Sequence, residues 1–282
     1  MMNRFRIVTI ATIVLVFSWV LVLPSQVGAG VSAYSVAFIY ASNISQAQDF
    51  QNFLISYGIT VDLVANSSAG TQNYSTFNLI IIGNDTGTPP PPNEEWLPVN
   101  AVSAINGSGK PILGIGAGGS IFFDSLKLPI GWEEGWINPD NETSVVNDTS
   151  TIFTYPISIT IPADGIIQLY DSNVWGMDIY VPNPIAGVTL LGQEVGVDSP
   201  HYPLIMNGSR YFLWGFSGSP SNMTQTGKNL FANVVSYLTG DTAVPEFSAV
   251  SILLLTFLIT TVTVVAATKC PARALKPCAK KR

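Results

Sequence analysis

The middle of the chain alternates between short apolar runs and segments in which apolar residues recur at helical spacing. The runs lack polar alternation, which is typical of parallel strands buried on both faces. They lie at residues 34–40, 60–64, 77–83 and 109–115. Between them, residues 45–57 and 94–106 show the helical pattern. This order predicts a three-layer α/β domain with a doubly wound, mostly parallel sheet.

The second half of the body predicts added β-structure and one closing helix. Residues 131–150 are rich in Trp, Asp and Asn and are predicted to be a long loop, whereas residues 202–206 and 211–216 predict a β-hairpin with Asn-Gly in its turn. Further short strands are expected at residues 152–161, 166–170, 177–181 and 188–191. Residues 221–238 predict a helix that packs one apolar face on the sheet.

Both ends of the chain are predicted to lie outside the folded domain. Residues 1–29 resemble a signal peptide, with Arg4 and Arg6 before a long uncharged run; an uncleaved signal anchor is the alternative. Residues 247–268 carry no charge and are long enough to span a bilayer as a helix. The tail at 269–282 is basic, which places it on the cytoplasmic side. Residues 30–240 are therefore the predicted ectodomain, and residues 241–246 its linker.

Charge and cysteine content limit the partners and the disulfides that the predicted ectodomain can have. The interval from Asp49 to Glu246 holds all 18 acidic residues but only four basic ones, so its net charge is −14. Such a surface as a whole repels nucleic acid and anionic lipid, and we do not expect nucleic acid as a partner. The two cysteines, Cys270 and Cys278, lie in the basic tail, so the ectodomain has no disulfide. No cofactor is predicted.

Glycosylation sequons are abundant in the ectodomain. They number about three times what composition alone predicts, and each marks a candidate exposed loop. They begin at Asn43, Asn66, Asn73, Asn84, Asn106, Asn141, Asn147, Asn207 and Asn222. We therefore expect a cell-surface glycoprotein, the alternative being a polar surface that generates sequons without attached sugar.

The strand at residues 109–115 leads into the turn Gly114-Ile115-Gly116-Ala117-Gly118. A G-x-nucleophile-x-G turn between a strand and a helix holds a Ser or Cys in many hydrolytic enzymes, but here the nucleophile position is Gly116. The turn and residues 121–126 after it resemble the elbow of the class I glutamine-amidotransferase-like superfamily, over residues 34–240. The resemblance implies a flavodoxin-like fold and a Cys–His–Glu site. Because Gly116 stands where the Cys would be, the resemblance implies the fold of the superfamily without its catalytic chemistry.

Other residues near the elbow keep two alternatives open. The glycine-rich turn could present backbone N–H groups to an anion, or its glycines could serve close packing. The candidate ligand-binding residues are Gly116, Ala117, Gly118, Gly119, Ser120 and Asp85. An atypical hydrolase site would instead use Ser120, Asp85 and His201, although Ser120 also suits a helix cap. Position 203 is Pro203 where the amidotransferase pattern after His201 requires Glu.

Two further patterns are weak. Asn138, Asp140 and Glu142 alternate like the start of a calcium loop, but Thr143 replaces its glycine and Thr149 its final Glu, so no metal site is predicted. Trp132 and Trp136 flank two glutamates and could bind a sugar or be buried beneath a loop.

The segment Val244-Pro245-Glu246-Phe247 precedes the predicted span. It resembles the PEF-type sorting signal of archaeal surface proteins, which implies removal of the helix and attachment of a lipid; a permanent membrane helix is the alternative. Taken together, these features predict a single-pass membrane protein with a noncatalytic ectodomain that has a binding or structural role in the envelope. Its expected partners are the lipid bilayer and other envelope proteins or glycans. An extracytoplasmic amidase-like enzyme and an accessory component of a membrane complex are the alternatives.

Overall fold

The computed structural model describes residues 34–88, 94–95 (backbone only), 98–132, 135–197 and 200–240. The predicted signal peptide, linker, membrane span and basic tail lie outside these residues. Within the described part of the chain, no helix has the length and apolar character needed to cross a bilayer.

Five parallel strands form one half of a nine-stranded sheet, and they come from the predicted apolar runs and the last strand of the chain. They are β1 (Ser35–Tyr40), β2 (Thr60–Ala65), β3 (Leu79–Ile82), β6 (Ile112–Ile115) and β14 (Tyr211–Trp214). Their spatial order is β2-β1-β3-β6-β14. This is the 2-1-3-4-5 order of flavodoxin-like sheets.

Helices cover both faces of this parallel half, which confirms the predicted three-layer, doubly wound α/β arrangement. The helices are α1 (Ile44–Ser56), α2 (Asn66–Ala69), α3 (Val99–Gly107), α4 (Gly116–Ser125) and α5 (Gln225–Thr239). Helices α1 and α5 pack on one face, where Phe50 and Phe231 meet the buried sheet side chains. Helices α3 and α4 pack on the other, through residues such as Ile105 and Phe122. The strands are apolar throughout because both of their faces are buried.

The other half of the sheet is antiparallel. It continues from β14 through β13 (Leu204–Asn207), β11 (Val188–Gln193), β8 (Glu142–Val145) and β9 (Ile166–Gln168). Each of these strands runs opposite to its neighbour. The predicted hairpin β13–β14, with Asn207-Gly208 in its turn, is confirmed, and it begins the antiparallel strands that are added to the predicted parallel sheet.

A separate three-stranded sheet packs against α4 and is called the small sheet below. It consists of β7 (Gly135–Asp140), β10 (Val174–Tyr180) and β12 (His201–Tyr202). Met177 of β10 contacts Ile121 of α4 and Trp132. The predicted loop at 131–150 is thus wrong, because β7 and β8 lie within it. Polar residues such as Asn138, Asp140 and Glu142 are typical of loops, and they occur here within strands β7 and β8.

Three element boundaries differ from prediction. Helix α3 begins at Val99, with Pro98 preceding it, and not at residue 94, because Glu94 and Glu95 form the short strand β5 with β4 (Gly87–Thr88). Residues 152–161 do not form a strand; a 3-10 turn spans Thr151–Phe153, and Ile152 and Phe153 are buried in the core. The strand predicted at residues 202–206 is split at Pro203, which lacks an N–H for the ladder.

Candidate functional site

The turn between β6 and α4 has the backbone of a nucleophile elbow. Gly116 has φ +49° and stands at the first position of α4, directly after the carboxyl end of β6. This left-handed conformation favours glycine. The helix approaches the strand closely, because a Cβ on Gly114 or Gly119 would overlap the other residue's backbone. The elbow is therefore fixed by packing between α4 and β6.

Asn84 occupies the space where an elbow side chain would project. Its Oδ1 accepts a hydrogen bond from the backbone N–H of Ala117, at 2.9 Å. A Cβ on Gly116 would overlap this oxygen and would lie 3.3 Å from Cα of Ser217. In hydrolases with this elbow, the N–H after the nucleophile stabilises the oxyanion. Here that donor is already bound within the chain.

Asp85 binds the neighbouring loop at the point where the strand order reverses, between β1 and β3. Its carboxylate accepts hydrogen bonds from the backbone N–H groups of Ala41, Ser42 and Asn43, the bond from Ser42 being 2.7 Å long. Ligands of doubly wound folds bind in the crevice at this reversal. The Asp85 carboxylate therefore occupies the backbone N–H groups that an anionic ligand would otherwise bind.

Thr86 completes this turn. The hydroxyl of Thr86 donates to the carbonyl of Gly83 at 2.9 Å, and the residue is buried. A Cβ on Gly118 would overlap both that carbonyl and Oγ1 of Thr86. We call Asn84–Thr86 the plug turn, because Asn84 and Thr86 fill the space that a Cβ on Gly116 or on Gly118 would need. Close packing thus accounts for the glycines at positions 116, 118 and 119. Their role in ligand binding stays a prediction.

Ser120 and His201 have different partners. Ser120 is fully buried inside α4, where its hydroxyl donates to the carbonyl of Ala117 at 3.0 Å, so it does not cap the helix. His201 lies on β12, where Nδ1 is 3.7 Å from Oε2 of Glu194 and its ring packs against Tyr180. Nothing in these contacts joins the two residues into a nucleophile–base pair.

An acidic pair that the sequence did not reveal lies at the small sheet, with Asp178 on β10 and Glu194 directly after β11. Asp178 and Glu194 are 2 % and 3 % exposed, and Glu194 Oε1 accepts from Nδ2 of Asn138 at 2.6 Å. Among the described residues, Oδ2 of Asp178 and Oε2 of Glu194 have no hydrogen-bond donor. Burial, followed by the negative charges of Glu194 and Asp140, raises the pKa of Asp178 to about 8. The two acids lie sixteen residues apart in sequence, and no motif links them.

The calcium-loop-like pattern and Trp132 form part of the folded structure. Asn138 and Asp140 lie on β7 and Glu142 on β8, so they form strands and not a calcium loop. Within the described ranges, no group of three or more His, Cys, Asp or Glu side chains is arranged to hold a metal ion. Trp132 is buried against Ile121 and Met177, which agrees with the burial alternative.

The sequons differ in how far their side chains are engaged. Asn43, Asn73 and Asn222 are exposed, whereas Oδ1 of Asn106 accepts a hydrogen bond from the Tyr211 hydroxyl at 2.8 Å. The hydroxyl residues of two sequons, Thr86 and Thr143, are buried. Asn43, Asn73 and Asn222 are therefore the more accessible acceptors. Occupancy of all nine sequons stays a prediction.

Comparison with known proteins gives only distant similarity. No family model matches the chain, and neither does any curated protein. Solved structures that are similar include a candidate GMP synthase component from Thermoplasma acidophilum, PurLQS from Thermotoga maritima, and SMU.1228c. The first is 13% identical with a TM-score of 0.46, covering 74% of this chain and 95% of that one. The second is 14% identical with a TM-score of 0.44, covering 73% and 99%.

The third, SMU.1228c, is 12% identical with a TM-score of 0.43 and covers 81% of this chain and 99% of that one. Similarity at this level carries no argument about activity. The α/β assignment therefore rests on the strand order and on the helices of this chain itself.

Proposed function

We propose that this protein is a membrane-anchored cell-surface protein whose amidotransferase-like ectodomain is noncatalytic and serves in binding or in envelope structure. The observation that carries the proposal is the plug turn at the elbow. Gly116 supplies no nucleophile, and Asn84 takes both the space and the N–H of Ala117 that acyl transfer would need. Asp85 takes the adjacent N–H groups as well.

The anchor is proposed from sequence. The uncharged residues 247–268, followed by a basic tail, support a single span with the ectodomain outside. The net charge of −14 and the many sequons support exposure to the exterior. The resemblance of residues 244–247 to a PEF-type signal adds the possibility of processing to a lipid anchor, which intact mass of the mature protein would distinguish from a retained helix.

The noncatalytic assignment is tested with an electrophilic glutamine analogue. Full-length protein carrying Cys270→Ser and Cys278→Ser is incubated with the analogue in detergent, and intact mass is measured beside an active glutaminase treated in parallel. We expect no covalent adduct, because no nucleophile stands at the elbow. A stoichiometric adduct lost in Ser120→Ala but kept in Ser125→Ala would overturn the proposal; the Ser125 hydroxyl makes a similar bond, to Phe122, at 2.7 Å.

A further inference from the structure

The described part of the chain begins and ends at one edge of the sheet. Tyr34 directly precedes β1, and α5 runs back along the sheet from the carboxyl ends of the parallel strands to end at Thr239. Tyr34 and Thr239 line the same hollow, together with Tyr57 and Ser236. Since parallel strands share their direction, this amino edge lies opposite the elbow, which follows the carboxyl end of β6.

Three of the four basic residues of the body lie at the amino edge. Lys110 and Arg210 precede β6 and β14, and Nε of Arg210 donates to the carbonyl of Lys110 at 3.0 Å. Lys127 follows the end of α4, where Phe123 contacts Tyr211, the first residue of β14. The side chain of Lys127 is 77 % exposed and its Nζ lies 3.3 Å from Oδ1 of Asp124, so one acid accompanies the three cations at this edge. Only Lys228, in the first half of α5, lies toward the other edge.

The carboxyl edge has the opposite character. It carries Asp85 beside the elbow and Glu194 directly after β11, next to the small sheet. A body with a strongly negative net charge therefore places most of its few cations on the edge from which both chain ends leave. Anionic lipid headgroups attract Lys and Arg and repel carboxylates, which makes the amino edge the favoured one against an anionic bilayer.

We infer that the ectodomain stands with its amino edge against the bilayer surface and presents the plug turn and the small sheet away from it. This inference rests on the proposed membrane anchor. Six residues, 241–246, separate the end of the described chain from the predicted span, and they reach at most about 20 Å when extended. A strand of six residues such as β1 is itself about 20 Å long. The linker therefore keeps the amino edge close to the headgroups and the elbow one strand length farther out.

The experiment uses full-length protein in vesicles of phosphatidylcholine and phosphatidylglycerol. On a Cys270→Ser/Cys278→Ser background, a fluorophore is attached to Ser209→Cys or to Ser221→Cys. Ser209 is exposed in the β13–β14 turn at the amino edge, and Ser221 is exposed beyond the carboxyl end of β14. Quenching by a headgroup-attached nitroxide is expected to be at least threefold stronger for Ser209→Cys. Equal quenching of both labels, or stronger quenching of Ser221→Cys, overturns the orientation.

Two controls separate the possible failures. Flotation of the vesicles is measured first: protein that does not float refutes the membrane anchor, whereas floating protein with the wrong quenching pattern refutes only the orientation. Two charge-removing variants then test whether the amino-edge cations cause the orientation. In the Ser209→Cys background, Lys127→Gln should lower quenching about twofold on anionic vesicles, and Lys228→Gln should leave it unchanged. An equal effect of the two variants would contradict the role assigned to the amino-edge charges.

Discussion

Two polar clusters lie toward the carboxyl edge of the parallel strands, and they differ in how completely their side chains are hydrogen-bonded. In the plug turn, Asn84, Asp85 and Thr86 each bind a backbone group. At the small sheet, Asp178 and Glu194 are buried with one carboxylate oxygen each left without a donor. Hydrogen bonds stabilise the plug turn, whereas burial raises the pKa of Asp178 and favours its protonated form. The free energy of unfolding should therefore depend on the protonation of Asp178.

The largest expected effect is the pH dependence of folding caused by Asp178. Its pKa is raised from 3.8 when unfolded to about 8 in the folded state, so only the folded protein keeps this proton between those values. The free energy of unfolding should consequently fall as pH rises from about 4 to about 8, by up to about 1.4 kcal/mol per pH unit.

Chemical denaturation of Asp178→Asn across this pH range measures the effect. The variant should flatten the profile and be more stable than wild type near the upper end of the range. Asp171→Asn, which removes an exposed carboxylate, should retain the wild-type slope. Parallel profiles for wild type and Asp178→Asn would show that Asp178 is not the group responsible.

Breaking the satisfied cluster at Asp85 should have the next largest effect. Asp85→Ala leaves the N–H groups of Ala41, Ser42 and Asn43 without their carboxylate acceptor, and hydrogen bonds to charged groups are worth roughly 1.5–3 kcal/mol each. We expect the free energy of unfolding to fall by about 3 kcal/mol near neutral pH. Asp62→Ala, at an exposed position of β2, serves as the control. Equal stability of the two variants would contradict the role of Asp85.

The smallest effect is expected at Asn84. Asn84→Ala removes the acceptor of the Ala117 N–H and should destabilise the protein by about 1 kcal/mol, the typical value for one neutral hydrogen bond. The same change empties the space beside Gly116. Gly116→Cys should therefore fold better in the Asn84→Ala background than alone, a difference that thermal unfolding of the single and double variants measures. No rescue would mean that Asn84 does not fill the elbow.

The sequence predicted the parallel half well and the rest of the sheet less well. The runs leading to β1, β3 and β6 are apolar because both faces of those strands are buried, and this pattern is readable without a structure. Strand β7 carries Asn138, Pro139 and Asp140, which are typical of a loop, because its polar face binds Glu194 across 56 residues of sequence. Local periodicity does not encode such a distant pairing.

The sequence predicted where the candidate site lies but not which side chains fill it. The glycine pattern located the elbow at Gly116, and the missing nucleophile was evident from the sequence alone. Its filling by Asn84 was not, because the sequence around residue 84 indicates only a turn and a sequon. Contact between two loops that follow different strands depends on strand order, which fixes the neighbours only after the sheet is assembled.

The left-handed turn at Gly116 has a consequence for how the fold tolerates sequence change. A conformation that strains most side chains is relaxed in glycine, so the backbone keeps this path without any reactive group at position 116. The close packing of α4 on β6 maintains the same path. The shape of the elbow is therefore determined by architecture and not by chemistry.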